Sequence, residues 1–514
     1  MHKRPANHSF ELTRRSLLRT GAAAAGALLA PASFARAEPK KGGHLVLAVD
    51  GASAANSLDP ATYDATYPEV VGFQWGNALV ELDEHAQATS ELAESWEADK
   101  TGKSWVIKLR QDVEFHNGKS FTAEDVVYSL NHHRGAESKS VAKSLLKDIE
   151  DLRVSAPGEV TITLTTANMD LPFTLADYHL LMFPEGGDAA AGIGTGPYII
   201  DSFEPGVRTR THRNPNYWKE GRSHADTVET VAMNDLTART SALLSGSVHY
   251  INRINPKLLH MIEGRNGLQV WNVPGSGHYT FQMMTDVAPY NNNDFRLALK
   301  YAIDRRAILD IVLNGFGAVG NDVPIPSFDR YFAADLPQRS YDPDKVQYHL
   351  KKAAVDIPAT LNIAEIAFSG AVDAAQMFQQ QAAKAGLTLN VNRVPNDGYW
   401  SNVWAKEPFS GSYSAGRPTP DLMLTSAYHS EAAWNDTHWR NEKFDNLLVA
   451  ARGERDEARR RQMYHDLQFM IYEEGGTILP VFNNYIFAGS GLVDGFRMSP
   501  IFAGMRVAEQ LYFV

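Results

Sequence analysis

Alternation of apolar and polar residues predicts short strands along the whole chain. His44–Val49 has the composition of a buried strand, and Trp105–Leu109 and Val160–Leu164 alternate apolar with polar side chains. This period of two is typical of a strand with one face in the core. Two later runs, Leu387–Asn392 and Ile478–Phe482, predict further strands near the end of the chain.

Segments whose apolar residues recur at helical spacing lie between these strands. Thr122 and Asp125 have the separation of a capping box, which predicts a helix that begins there. Residues 294–313 place apolar side chains at helical spacing, and Asp294 is the expected N-cap. Glu457–Glu474 repeats the helical pattern. Because helices alternate with strands, the fold class is predicted to be α/β.

The first 37 residues differ from the rest. They carry six basic residues against one acidic residue, then an uncharged apolar run, Gly21–Ala30, and end in Ala35-Arg36-Ala37. This order predicts a signal peptide and a mature chain that starts near Glu38. The segment Thr13–Leu18, with paired arginines, is similar to the twin-arginine export motif.

Charge and cysteine content limit the possible partners. Without the leader, the formal net charge changes from −11 to −16, which argues against nucleic acid as a partner. No later stretch is long and apolar enough to predict a membrane span. The chain has no cysteine, which excludes disulfides, thiolate metal sites and a lipid-modified cysteine. We therefore expect a protein exported to the periplasm of a Gram-negative bacterium.

Several motifs follow one another in an order that resembles a known family. They are Leu92–Trp96, Trp105–Arg110, Val113–Gly118, Phe121–Leu130, Gly194–Tyr198, Arg213–Trp218, Arg296–Arg305 and Phe444–Leu448. Together they are similar to the signature blocks of family 5, the peptide/nickel class, of the ABC-transporter solute-binding proteins. The resemblance spans nearly the whole mature chain.

The resemblance implies a large, two-lobed periplasmic-binding-protein type II fold with three subdomains, mixed sheets and a hinge. It places a discontinuous core lobe at residues 38–80, 195–285 and 487–514, a small inserted domain at 81–194 and a second lobe at 286–486. It also implies a monomer that captures a small solute and passes it to an inner-membrane ABC permease with ATPase subunits. No catalysis and no cofactor are expected.

Other chemistries are weakly represented. Gly315–Gly320 fits G-x-G-x-x-G, but a helix rather than a strand is predicted before it, so we interpret it as a turn. No His-Glu-x-x-His motif is present, so no metal site of the protein's own is predicted. No Gly-x-Ser-x-Gly motif is present either, so no serine nucleophile of that type is predicted. A metal chelate as the ligand and a secreted hydrolase remain as alternatives.

Arg417 is the leading candidate for ligand contact. Peptide-binding members of the family usually offer an Asp to the ligand's α-ammonium in this region, and here Gly416 or Arg417 takes that place. A free-amine peptide would then lack a counter-ion, which is costly in a buried site. Arg417 instead suits a carboxylate or another oxyanion. The alternative is that Arg417 pairs with Asp421 or with a surface acid.

Aromatic and amide side chains surround this segment, as in clefts that hold small solutes. The remaining ligand-binding candidates are Tyr63, Tyr67, Tyr399, Trp400, Tyr413, Trp434, Asn435 and His278. We therefore predict a small, polar, acid-bearing solute, such as a modified peptide, an amino-acid conjugate or a polycarboxylate. An unmodified di- or oligopeptide is the alternative.

Overall fold

Three sheets of four or more strands organise the chain. The computed structural model describes residues 39–497, 499–501 and 504–514, so the predicted signal peptide lies outside the described residues. The largest sheet has seven strands, and its mixed parallel and antiparallel pairing confirms the predicted α/β class. Its strands, in spatial order, are Leu268–Val273, Tyr485–Ser490, Tyr250–Ile251, His44–Val49, Thr227–Ala232, Arg208–Arg213 and Tyr198–Glu204.

A second, six-stranded sheet is built from the later part of the chain. Its strands, in spatial order, are Gly317–Val319, Thr477–Asn483, His278–Met283, Phe409–Ser414, Ala359–Ile363 and Leu389–Arg393. One face packs on buried residues of helices Asn293–Tyr301, Arg305–Val312 and Ala371–Lys384. This packing leaves the other face of the sheet available for a site.

A four-stranded antiparallel sheet forms a third layer, with its own core. Its strands are Ala93–Ala98, Ser104–Leu109, Glu159–Leu164 and Ile149–Ala156. Two short ribbons pair Val80–Leu82 with Ala88–Ser90 and Val493–Asp494 with Tyr512–Phe513. The second ribbon brings the end of the chain back to the seven-stranded sheet, since Phe513 also bridges to Lys40.

Helices cover these sheets. They are Thr66–Trp75, Ala123–His132, Leu171–Thr174, Leu236–Leu244, Asn293–Tyr301, Arg305–Val312, Pro343–Ala353, Ala371–Lys384, Tyr399–Asn402, Pro420–Ala427, Glu442–Gly453, Glu457–Glu474 and Val507–Gln510. Within the described part of the chain, none of them has the length and apolar character that a membrane span requires.

Local sequence signals found most of these elements. Strand His44–Val49 and helix Glu457–Glu474 have the predicted bounds, and the other predicted strands agree to within two residues. The capping box is confirmed, because the Thr122 backbone N–H donates to the Asp125 carboxylate at 2.8 Å. The helix predicted before the glycine run Gly315–Gly320 ends at Val312, and residues Gly317–Val319 within the run form a short strand.

One predicted helix is wrong in two respects. Residues 294–313 form two helices, Asn293–Tyr301 and Arg305–Val312, because the Asp304 side chain accepts from the Ala307 N–H and starts a new N-terminus. The first helix is capped by Asn292 rather than by Asp294. Asp294 lies in the first turn and hydrogen-bonds His349 at 2.8 Å.

The chain crosses between the two large sheets twice. The first crossing, residues 274–277, joins Val273 of the seven-stranded sheet to His278 of the six-stranded sheet; the second is Asn484. Strand His278–Met283, which follows the first crossing, pairs within the six-stranded sheet. Asn484 donates to the Asn272 side chain at 2.8 Å and so ties the two crossings together.

Candidate functional site

A cavity of about 410 Å³ lies on the free face of the six-stranded sheet. His278, Thr280 and Gln282 alternate along one strand, so their side chains share that face, while Phe281 and Met283 point into the core. On the neighbouring strand, Ser412 pairs with Thr280 and Ser414 pairs with His278. The floor of the cavity is therefore polar.

Hydrogen bonds hold this floor in place. Gln282 donates to the Thr280 hydroxyl at 3.1 Å and accepts from the Thr477 hydroxyl at 2.8 Å. The Thr280 hydroxyl donates to the Ser412 carbonyl at 3.1 Å. Because the partners come from three strands, the network fixes the side chains that face the solute.

Aromatic side chains form the walls. Trp400 and Trp404 come from the segment around helix Tyr399–Asn402, and Tyr413 packs edge-on against Trp400 with ring centroids 5.6 Å apart. Tyr413 and Trp434 keep 53% and 51% of their surface exposed. Exposed aromatic rings around a polar floor are typical of a surface that a ligand covers.

Arg417, the leading candidate for ligand contact, lines the same cavity. Its guanidinium donates to the backbone carbonyls of Ala415 and Gly416 at 3.1 and 3.2 Å and lies 5.1 Å from the Trp434 ring centroid. Within the described ranges, no carboxylate forms an ion pair with it. Burial lowers the pKa of Arg417, whereas Tyr178 and Asp177 oppose that shift. The group remains a cation that lacks a bonded anion.

The expected alternative partner of Arg417 is occupied by another residue. Asp421 accepts from Arg452, whose Nε lies 3.0 Å from both carboxylate oxygens. The interpretation that Arg417 pairs with Asp421 is therefore wrong. Gly416 cannot carry an acid either, because a Cβ there would overlap the side chain of Ser276.

His278 contributes a neutral imidazole. Burial lowers its pKa to about 4, and the nearby charge of Arg417 acts in the same direction. Nδ1 donates to the Ser276 carbonyl at 3.1 Å, which leaves Nε2 as an acceptor in the neutral ring. His278 can therefore accept a hydrogen bond without adding charge to the cavity.

Sequence reasoning missed one charged residue of the cavity. Asp436 lies in its wall, and the Trp404 indole N–H donates to its Oδ2 at 2.9 Å. Burial raises the pKa of Asp436 to about 6, although Trp404 and Ser412 favour the charged form. The cavity therefore contains a carboxylate that the prediction of a missing counter-ion at Gly416 or Arg417 did not include. The signal was an acid two residues after Trp434, in a loop rich in aromatic residues.

Four predicted residues lie outside the cavity lining. The Tyr63 hydroxyl donates to the Leu58 carbonyl at 3.0 Å, and that of Tyr67 contacts Thr209 at 2.9 Å, both inside the core of the seven-stranded sheet. The remaining two, Tyr399 and Asn435, donate to backbone carbonyls, at 2.7 Å in each case. The structure assigns these four side chains to packing and loop geometry, since their polar atoms bind protein partners.

The donor set also bears on metal binding. Across residues 39–497, 499–501 and 504–514, no group of three or more His, Asp or Glu side chains converges as a metal site would require. The cavity instead offers one cation, one carboxylate, hydroxyls and aromatic faces. This arrangement can bind and orient a small polar molecule.

Comparison with known proteins identifies the family. Residues 87–435 match the model of the bacterial extracellular solute-binding proteins, family 5 Middle, which is more than half of the 514 residues. The glutathione-binding protein GsiB of Shigella flexneri serotype 5b is 24% identical over 514 residues, covering 95% of this chain and 97% of the relative.

Solved structures show the same fold. The binding protein AgaA of A. tumefaciens R10, in complex with agropinic acid, has a TM-score of 0.75 at 23% identity, covering 92% of this chain and 99% of that one. NikZ of Campylobacter jejuni, in complex with Ni(L-His), has a TM-score of 0.76 at 20% identity, covering 91% and 99%. The chain therefore belongs to family 5 of the bacterial extracellular solute-binding proteins, and it is the non-catalytic solute-binding component of an ABC importer.

Proposed function

We propose that this protein binds a small polar solute through an acid group, and that Arg417 contacts that group. The supporting observation is a guanidinium in the cavity wall whose hydrogen-bond partners among the described residues are backbone carbonyls of its own loop. A guanidinium offers five N–H donors in a planar fork, which matches a carboxylate. The proposed ligands are modified peptides, amino-acid conjugates and polycarboxylates.

Two similar proteins support this chemistry. A relative is named for glutathione, and a protein of the same fold was solved with agropinic acid. Both ligands bear acid groups, and glutathione is a modified peptide. At 24% and 23% identity these likenesses suggest probes for this chain rather than a substrate.

A melting-temperature screen tests the proposal. The mature protein is heated alone and with glutathione, agropinic acid, free dipeptides and a nickel–histidine chelate, each with an ester or amide form in which the acid groups are blocked. Ligands that bind only the folded state raise its stability by about 2.7 kcal/mol at 100 times Kd. We expect an acid-bearing compound to raise Tm by several degrees and its blocked form to raise it far less. Equal shifts with free and blocked acids would rule out the proposal.

The two large sheets suggest how capture becomes a signal. We propose that they belong to two lobes, a core lobe and a second lobe, that close over the solute about the crossings at residues 274–277 and 484. Closure of two lobes about a hinge is an established way to report binding to a partner. The closed monomer then docks on the permease, whose ATPase subunits supply the energy.

We also propose export to the periplasm by the twin-arginine route. DppA of Helicobacter pylori, a protein of the same fold, is an ABC transporter-associated periplasmic binding protein, and residues 1–37 of this chain carry the paired arginines Arg14 and Arg15 ahead of an apolar run. Replacing both arginines with lysine keeps the positive charge and removes the twin-arginine motif. We expect the precursor to stay in the cytoplasm, as measured by cell fractionation. Unchanged export of the double variant would argue for a different route.

A further inference from the structure

The cavity wall holds a second charged side chain, one that acid binding does not use. Asp436 faces the same cavity as Arg417, and its Oδ2 accepts from the Trp404 indole N–H at 2.9 Å. The Ser412 side chain and the backbone N–H of Asp436 also act to lower the pKa of this carboxyl, although burial outweighs them. The Trp404 N–H fixes the position of the carboxylate but leaves acceptor capacity, since an ionised carboxylate has about four lone-pair sites.

Among the described residues, His438 supplies the only nearby charge that opposes the rise in the pKa of Asp436, and His438 has another carboxylate as its partner. In the described part of the chain, no Lys or Arg forms an ion pair with Asp436. His438, two residues further on, hydrogen-bonds both oxygens of Asp286 at 3.1 Å. A partly buried carboxylate without a counter-ion is unfavourable, so a cation from outside the protein would relieve an existing cost.

The surrounding side chains suit a cation as well. Five Trp and Tyr residues line the cavity, and the faces of indole and phenol rings attract cations. Of these rings, Trp434 already faces the Arg417 guanidinium, whereas Trp404 is next to Asp436. A carboxylate beside aromatic rings is the environment that a protein offers to an ammonium group.

We infer that Asp436 binds a cationic nitrogen of the solute, so that the ligand is a zwitterion with its acid at Arg417 and its amine at Asp436. This inference rests on the proposed function. It narrows the ligand class to amino-acid conjugates and short peptides with a free amine, and it removes polycarboxylates that lack one. In this inference Asp436 takes the role of the Asp that peptide-binding members offer to an amine, for which position 416 has no room.

Paired probes on the wild-type protein test the inference. The amine-bearing acid that gives the largest rise in Tm, with glutathione tested first, is compared by calorimetry with its N-acetyl and N-methyl forms. N-acetylation removes the positive charge, whereas N-methylation adds bulk and keeps it. We expect N-acetylation to weaken binding by roughly 30-fold or more, because the Asp436 carboxylate is then left without a cation, and N-methylation to weaken it far less.

A variant pair supplies the second arm. Asp436→Asn keeps an acceptor for the Trp404 N–H and removes the charge. The variant should bind the amine and its N-acetyl form with nearly equal, weak affinity. Glu431→Gln is the matched control, because it removes one negative charge of the same loop outside the cavity lining; it should keep the wild-type preference.

The outcomes separate this inference from the proposed function. If the wild-type protein binds the amine and N-acetyl forms equally but discriminates against blocked acids, the inference is overturned and the proposed function stands. If blocked and free acids bind equally, the proposed function fails first, and the zwitterion falls with it. If Asp436→Asn retains the full preference for the amine, another residue binds the cation and the inference is overturned.

Discussion

Replacing Arg417 with glutamine should weaken binding of an acid-bearing solute by about 2–5 kcal/mol, which is roughly 30-fold to several-thousand-fold in Kd. The loss is large because the ligand carboxylate would enter a partly desolvated cavity without its cation. Arg417→Lys keeps the charge but loses the planar fork, and we expect an intermediate loss. Calorimetric titration with the best acid-bearing compound of the screen measures both variants.

The folded protein should tolerate this change. Arg417 bonds only to backbone carbonyls of its own loop, so the Tm of the ligand-free variant should stay near that of the wild type. Arg440→Gln is a matched control, because Arg440 forms an exposed ion pair with Glu431. Its affinity should equal that of the wild type. Wild-type affinity in Arg417→Gln would remove Arg417 from the binding site.

The largest effect on stability is expected at Asp322, which lies between two buried guanidiniums. Arg305 donates to its two oxygens at 2.6 and 2.8 Å, and Arg339 donates at 2.6 Å. Lys300 is also close, and burial lowers its pKa well below the usual range. Asp322→Asn should cost about 3–5 kcal/mol, since it leaves buried cations without their anion.

The geometry of this variant isolates the charge. Asp322 has a φ of 62°, a conformation that asparagine tolerates well, and the amide oxygen can still accept from the Leu479 N–H. Denaturant unfolding measures the change. Asp310→Asn is the control on helix Arg305–Val312. The exposed ion pair between Asp310 and Arg306 should contribute less than about 1 kcal/mol to stability. A loss below about 1 kcal/mol in Asp322→Asn would contradict the prediction.

The same cluster sets a pH dependence. Burial by itself would raise the pKa of Asp322, but Arg305 and Arg339 outweigh it and lower the pKa to about 2. Because the folded value lies below the unfolded value of 3.8, the contribution is fully present above about pH 4 and is lost as pH falls towards 2. Asp322→Asn should therefore reduce the loss of stability between pH 4 and pH 2.

The cluster also supports the binding site. Asp322 accepts from Leu479 of strand Thr477–Asn483, which pairs with strand His278–Met283 in the floor of the cavity. The charges thus fix the helices behind the six-stranded sheet to the strand next to the site. Arg305 belongs to one of the family motifs, and its partner Asp322 follows the glycine run.

Local patterns in the sequence determined much of the architecture. The period of two in the strands, the capping box at Thr122 and the spacing in Glu457–Glu474 depend on neighbours a few residues apart. The ordered motifs, which span nearly the whole mature chain, indicated the family without any knowledge of tertiary contacts. Arg417 stood out because it departs from the pattern of peptide-binding members, and the structure places it in the cavity.

Tertiary structure decided which side chains face the cavity. The rings of Tyr63 and Tyr67 are buried in the core of the seven-stranded sheet, whereas Tyr413 and Trp434 remain half-exposed around the cavity, although all four are aromatic residues near predicted ligand-facing stretches. Composition cannot separate these two outcomes, because burial depends on which distant segments pack together. Asp436 was missed for the same reason: the fold brings Trp404 and Ser412 close to it, and this packing makes it a partly buried carboxylate of the site.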